Sequence, residues 1–305
     1  MRHALLIAIV VLVGCAKPQG SYAPAAQRGF ESPESAVTAM VTALEQRDRA
    51  TLVAMLGPDS DALLSSGDAV ADSTARADFL ARYAEKHALV TGGPDDLVLQ
   101  VGADDWPFPI PIVRRNGKWI LDAAAGKDEI LRRRIGGNEL QTIEVMHGYV
   151  AAQEDYAAAP HDGIPAGAYA QAIRSEAGKQ NGLYWEVPEG ARPSPAGPWL
   201  AGAEAEGYGA AGEPYHGYRF KLLTAQGPAA AGGARDYVVD GRQTGGYALV
   251  AWPASYGASG VMTFLVDKGG IVWQRDLGKD TEQAAAAITR FDPDSLWTPI
   301  PSEAN

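Results

Sequence analysis

Residues 106–112 read Trp106-Pro107-Phe108-Pro109-Ile110-Pro111-Ile112, and Val113-Arg114-Arg115-Asn116-Gly117-Lys118-Trp119-Ile120-Leu121-Asp122 follows directly. Proline stands at every second position of the first stretch. Alternate residues of a strand turn their N–H groups to the same lateral side, so these prolines remove every donor from one side and spare the other. A strand over 106–112 pairs on one side only and is expected at a sheet edge, with Phe108, Ile110 and Ile112 sharing the core face. The second stretch is a hairpin turned at Asn116-Gly117, a pair that tolerates the positive φ of a type I′ turn.

Upstream, the period is helical. Ser32-Pro33-Glu34 is a helix start, followed by Ala36, Val37, Met40, Val41 and Leu44. Asp48 opens a second helix carrying Leu52, Met55 and Leu56, and Asp72 is expected to open a third with Phe79, Leu80 and Tyr83 on one face. Downstream, Gly136-Gly137 is expected to break the chain, and Asn138 with Gln141 starts a helix from Glu139 to about Ala158. A Gly/Pro/Ala-rich stretch follows to about Gly212. Strand patterns then return, with the last hairpin turned at Lys268-Gly269-Gly270 and a final helix capped by Asp280. The expected fold class is α+β. Two modules, each a helix packed on a curved antiparallel sheet, occupy 30–130 and 131–305, the second with a long loop at 160–212.

Arg2 and His3 precede an unbroken apolar run, Ala4 to Val13, the layout of a signal peptide over 1–14. Leu12-Val13-Gly14-Cys15 resembles a bacterial lipobox. Cys15 is the one cysteine of the chain, so it has no internal disulfide partner, and its thiol is the group that forms a thioether to diacylglycerol. One acyl chain holds only marginally, whereas a multiply acylated (palmitate-type) cysteine anchors stably. Residues 15–29 are small, polar or Pro/Gly and read as a tether with a reach on the order of 20 Å. The expected location is the bacterial cell envelope, lipid-anchored and facing the periplasm. Ala16 after the cysteine favours the outer membrane over the inner.

The net charge is −11, from 26 Lys and Arg against 37 Asp and Glu, and no basic face is visible in the sequence. That argues against nucleic acid as a partner. The basic run Arg132–Arg134 follows Asp128 and Glu129 at helical spacing and reads as an ion-paired face. His87, His147, His161 and His216 each stand alone, without a metal-ligand spacing. No metal, no cofactor and no catalytic residue is therefore expected. Gly257-Ala258-Ser259-Gly260 lacks the context of a nucleophile elbow, and Asp292-Pro293-Asp294 reads as a surface turn. Binding candidates are aromatic. Trp185, Trp199, Trp252 and Trp297 lie in or beside irregular segments, and Tyr215, His216, Tyr218 and Arg219 form the densest polar–aromatic cluster.

Helices followed by a sheet ending in "NGKWILD" resemble the nuclear-transport-factor-2-like, cystatin-like α+β fold over roughly 30–125, which implies a pocket between helix and sheet. "IEVMHGYVAAQEDYA", then "GYRF" and "GVMTFLVDKGGIVW", resemble the globular part of pilin-like proteins. Across the mature chain, "SPESAVTAM", "DDWPFPIPIV", "GKWILDAAAGKDEILRRRIGGNEL", "PYHGYRFKLLTAQGP" and "GVMTFLVDKGGIVWQRDLGKDT" resemble the bacterial lipoprotein family known as domain of unknown function 2950. That family's acidic D-G-D-G loop is here Pro160-His161-Asp162-Gly163-Ile164. Two functions remain open. One is a non-catalytic binding or assembly scaffold, whose partners are the membrane through its lipid and an envelope protein or glycan. The other is a periplasmic enzyme using a pocket of the first module or the cleft between modules. Cys15→Ser is expected to abolish acylation, because serine cannot form the thioether; unchanged palmitate labelling of that variant would refute the anchor.

Overall fold

Two serines close the start of helix α1 (Pro33–Glu45) on each other: the Ser35 amide donates to Ser32 Oγ at 3.1 Å and the Ser32 amide to Ser35 Oγ at 3.2 Å. With Pro33 pre-set at the first helical position, the register is locked and Val37, Met40 and Val41 face the core. The computed structural model describes residues 27–57, 60–188, 190–198, 203 and 213–301. The signal sequence, Cys15, most of the tether and Trp199 lie outside them.

Asp48 caps α2 (Arg49–Leu56) by accepting the Thr51 amide at 3.0 Å. After the single turn α3 (Asp61–Leu64), α4 (Ala69–Glu85) begins a turn earlier than its sequence suggested. Asp68 is the cap, accepting from the Ala71 amide at 2.9 Å. Asp72 instead accepts from the backbone and hydroxyl of Ser66 and ties down the preceding loop. Two aspartates one turn apart give the same start signal, and only the loop decides between them.

The first sheet is antiparallel: β1 (His87–Gly93), β2 (Asp96–Val101), β3 (Trp106–Pro107), β4 (Ile112–Arg115) and β5 (Lys118–Leu121), in the order β1-β2-β4-β5 with β3 also on β2. Asn116 and Gly117 turn the β4–β5 hairpin at φ 52° and 79°, as a type I′ turn requires. The proline segment is not one edge strand. Trp106 and Pro107 pair with Val101 and Gln100, and Ile112 and Val113 pair with Leu97 and Asp96. The four residues 108–111 therefore face only Val98 and Leu99, a bulge of two extra residues. Pro109 and Pro111 cannot donate to a ladder, so the chain leaves the sheet where it would lose those bonds anyway. Phe108, Ile110 and Ile112 still join the first core.

Helix α5 (Ala123–Ala157) runs 35 residues without interruption, about 50 Å. The break expected at Gly136-Gly137 does not occur. Each glycine costs a helix up to about 1 kcal/mol, and contacts on both sides outweigh that. Arg134 donates to the Leu63 carbonyl at 3.0 Å, and Asn138 Nδ2 to the Ser259 carbonyl at 2.8 Å. The helix thus begins against the first sheet and ends against the second.

The second sheet runs β14 (Thr298–Pro299)-β13 (Trp273–Asp276)-β12 (Met262–Asp267)-β11 (Ala248–Pro253)-β6 (Tyr218–Leu223), all antiparallel. Two-residue pairs, β7 (Ala225–Gln226) with β8 (Arg235–Asp236) and β9 (Val238–Val239) with β10 (Arg242–Gln243), decorate it. Every residue of β11 is buried, because both faces are covered. Leu249 and Ala251 meet Met146, Tyr149 and Tyr156 of α5; Val250 and Trp252 meet Ala285 of the helix Thr281–Ala286 and Phe291. Part of the long loop packs on the α5 side, where the Leu183 amide donates to the Ala172 carbonyl at 3.0 Å.

Two glycines of α5 are expected to respond oppositely to alanine. A Cβ at Gly126 would stand 2.8 Å from both Ile110 Cγ1 and the Pro109 carbonyl, whereas one at Gly136 meets nothing within 4 Å. Gly126→Ala should cost about 1–3 kcal/mol, and Gly136→Ala should add up to about 1 kcal/mol. Urea denaturation of both variants checks the bulge packing and the unbroken helix together; shifts of the same sign would contradict them.

Candidate functional site

The bulge and helices α1 to α5 line an open cavity of about 910 Å³. Its wall is built by helical spacing: Met40 and Leu44 from α1, Leu52 from α2, Phe79 from α4 and Ile130 from α5, closed by Phe108 of the bulge. Phe79 and Phe108 pack with ring centroids 5.2 Å apart. This volume lies in the range of sites that hold drug-sized ligands, about 300–1,000 Å³.

Charge gathers at the cavity. Arg47, Arg49, Arg76, Arg133 and Arg134 line it, against Asp72 and Asp78. Arg49 is ion-paired with Asp61. Arg133 pairs with Glu129 at 2.6 Å and lies over the Trp106 ring, 5.1 Å from its centroid; the guanidinium holds the Glu129 carboxyl below its ordinary pKa. The run Arg132–Arg134 is therefore ion-paired at Arg132 and Arg133, as expected, while Arg134 turns to the loop carbonyl of Leu63. Asp72 is occupied by Ser66.

Among the described residues C-terminal to α5, His216 is the one that lines this cavity. Tyr215-His216-Gly217-Tyr218 is a tight turn with φ of 50° at His216 and 75° at Gly217, closed by mutual backbone hydrogen bonds between Tyr215 and Tyr218. The Gly217 amide donates to Asp68 Oδ2 at 2.8 Å, so the carboxylate that caps α4 also holds the turn of the other module. A Cβ on Gly217 would come within 2.5 Å of Asn138 Nδ2, which leaves glycine the residue that fits. Beside it, Glu139 Oε1 accepts the Val261 and Met262 amides at 2.9 and 3.0 Å.

Residues 27–300 match the profile of the family described as protein of unknown function (DUF2950). The chain belongs to that family. Neither the curated proteins nor the solved structures compared with it gave a match. The family description carries no activity, and the site must be read from its own geometry.

The aromatic candidates do not converge. Tyr218 is fully buried on the α5 face, its hydroxyl donating to the Met262 carbonyl at 3.0 Å. Arg219, next along the strand, points to the other face, where it pairs across the ladder with Trp252. Trp252 is buried, its Nε1 donating to Glu282 Oε2 at 2.9 Å, and Arg219 Nε lies 3.8 Å from the same carboxylate. The pleat thus divides the cluster: Arg219 and Trp252 meet, Tyr218 is core, and His216 with Tyr215 stays at the turn, rings 4.1 Å apart. Trp185 lies elsewhere, beside Tyr156 and His161 at a smaller hollow of about 310 Å³. Among the described residues no cluster of three or more His, Cys, Asp or Glu could hold a metal. Asp162 accepts the amide of Gln180, 18 residues on, and Asp292 and Asp294 accept the Ala229 and Leu296 amides. The arginines and the cavity escaped the sequence reading because the arginines come from four separate places, the end of α1, α2, α4 and α5, and only the switch of Arg47 to positive φ, 55°, marks one of them locally.

Burial raises the pKa of Tyr149, Tyr218, Tyr237 and Tyr247, and that of Tyr156 to about 12. Below about pH 10 tyrosine is neutral folded and unfolded, so it adds no pH dependence. Above that the unfolded chain releases protons that the fold retains, and stability falls as pH rises. The urea midpoint is expected to be level to about pH 10 and to drop between pH 10 and 12, less steeply in Tyr156→Phe. A midpoint level to pH 12 would mean that these rings are not buried.

Proposed function

We propose that this is a lipid-anchored protein of the bacterial envelope, held by Cys15, that binds an apolar ligand in the first-module cavity and does not transform it. The single observation that carries this reading is a cavity of about 910 Å³ with a predominantly apolar wall. Of the two carboxylates at the cavity, Asp72 is engaged in holding a loop. The arrangement of helices over a curved sheet with the cavity between them supports a nuclear-transport-factor-2-like reading of the first module. The lipobox-like Leu12-Val13-Gly14-Cys15 supports the anchor, and the tether supports a ligand site held off a membrane facing the periplasm. Among the described residues no helix is long and apolar enough to cross a membrane.

Nile red, a neutral dye that brightens in apolar surroundings, tests the cavity. Gly137 lines it, and a Cβ there meets nothing within 4 Å, so Gly137→Trp should narrow the cavity without a clash at its base. The expected result is saturable binding by the parent protein and an affinity at least several-fold weaker in Gly137→Trp, with an unchanged circular dichroism spectrum. Dye binding that is absent, or indifferent to the tryptophan, would refute the reading.

A further inference from the structure

The charge around the cavity is not what its wall alone would require. Five arginines stand against two aspartates there, in a chain of net charge −11. Three of the five have structural tasks: Arg49 pairs with Asp61, Arg133 with Glu129, and Arg134 donates to Leu63. Arg47 and Arg76 have no carboxylate partner among the described residues; Arg76 donates only to the hydroxyl of Ser73, at 2.9 Å.

Arg47 carries a second anomaly. The Asp48 amide donates to the Ala43 carbonyl and the Arg47 amide to Leu44, the paired bonds of a Schellman ending to α1. That motif places its penultimate residue at positive φ, where glycine is usual and a side chain is strained. Arginine occupies the position here at φ 55°. The helix end would be more stable with glycine, yet it holds a guanidinium at the cavity. Strain at the edge of a site points to a role for the strained residue.

Building on the reading of this cavity as a ligand site, we propose that the ligand is a single-chain amphiphile with an anionic head. The chain lies against Met40, Leu44, Leu52, Phe79 and Phe108, and the head is held at the arginine-lined part of the cavity. Guanidinium groups match carboxylate and phosphate oxygens in a bidentate fork, so both heads fit the same chemistry. With Arg49 and Arg133 neutralised by Asp61 and Glu129, the guanidiniums of Arg47 and Arg76 are what an anionic head would meet, in a protein whose overall charge is negative.

Calorimetric titration of the full mature chain with four probes of equal chain length tests the proposal, each kept below its micelle concentration: laurate, dodecyl phosphate, dodecanol and dodecyltrimethylammonium. One or both anionic probes should bind at least about tenfold tighter than dodecanol, as expected for a charge-assisted contact, and the cation weakest; which anion leads separates a carboxylate from a phosphate head. Arg47→Gly and Arg76→Gln should each weaken the preferred anion about tenfold and leave dodecanol unchanged. Arg47→Gly should also raise the melting temperature, a change that lost folding cannot mimic. Equal binding of laurate, dodecyl phosphate and dodecanol would overturn the head-group proposal while leaving an apolar ligand site intact. Variants that weaken all four probes alike would overturn it as well. Absence of binding by any probe, with Nile red also unbound, would overturn the ligand site itself.

Discussion

One carboxylate in the middle of a long helix sets how the two halves of this protein meet. Glu139 Oε1 accepts the Val261 and Met262 amides where β12 begins, and the neighbouring Asn138 donates to the Ser259 carbonyl. A strand that starts against a helix leaves its first amides without a ladder partner, and unpaired buried amides are costly. Glu139 satisfies two of them from a rigid element. Asp68 repeats the arrangement from the first module, capping α4 and accepting the Gly217 amide. These contacts link the helical layer of one module to the sheet of the other, and Gly136 and Gly137 stay helical between them.

The same helix forms the floor of the cavity. Its first turns press on the proline bulge at Gly126, and the bulge sends Phe108 and Ile110 toward α1 and α4 rather than along the sheet. A straight edge strand would have left those side chains in a flat layer. Two extra residues in the ladder, at a place where proline could not have donated, turn part of the sheet face into a wall. The cavity is therefore a product of strand chemistry and helix packing together, and its arginines arrive from α2, α4, α5 and the end of α1.

Much of the fold was legible because its signals are local. The serine–proline start of α1, the Asn116-Gly117 turn and the apolar runs of β11 and β12 depend on residues within a few positions of one another. Where two local signals competed, the sequence reading took the wrong one, Asp72 as the cap of α4 and a break at Gly136-Gly137. Asp68 and Asp72 are equally good caps, and Gly136-Gly137 is equally a break or a tolerated weak point. The aromatic cluster at 215–219 was read as one surface although adjacent strand residues point to opposite faces; the pleat sends Tyr218 into the core and Arg219 to Trp252.

Sequence by itself determined the α+β class, the antiparallel hairpins and the membership of residues 27–300 in a family, because each rests on periodicity, turn chemistry or motif order along the chain. Only the tertiary structure decided that α5 is continuous, that the proline run is a bulge, and that arginines from separate elements surround one apolar cavity. Those features depend on contacts between residues far apart in sequence, such as Asn138 with Ser259 and Asp68 with Gly217. Their energies exceed the local preferences they override, and no window along the chain contains both partners.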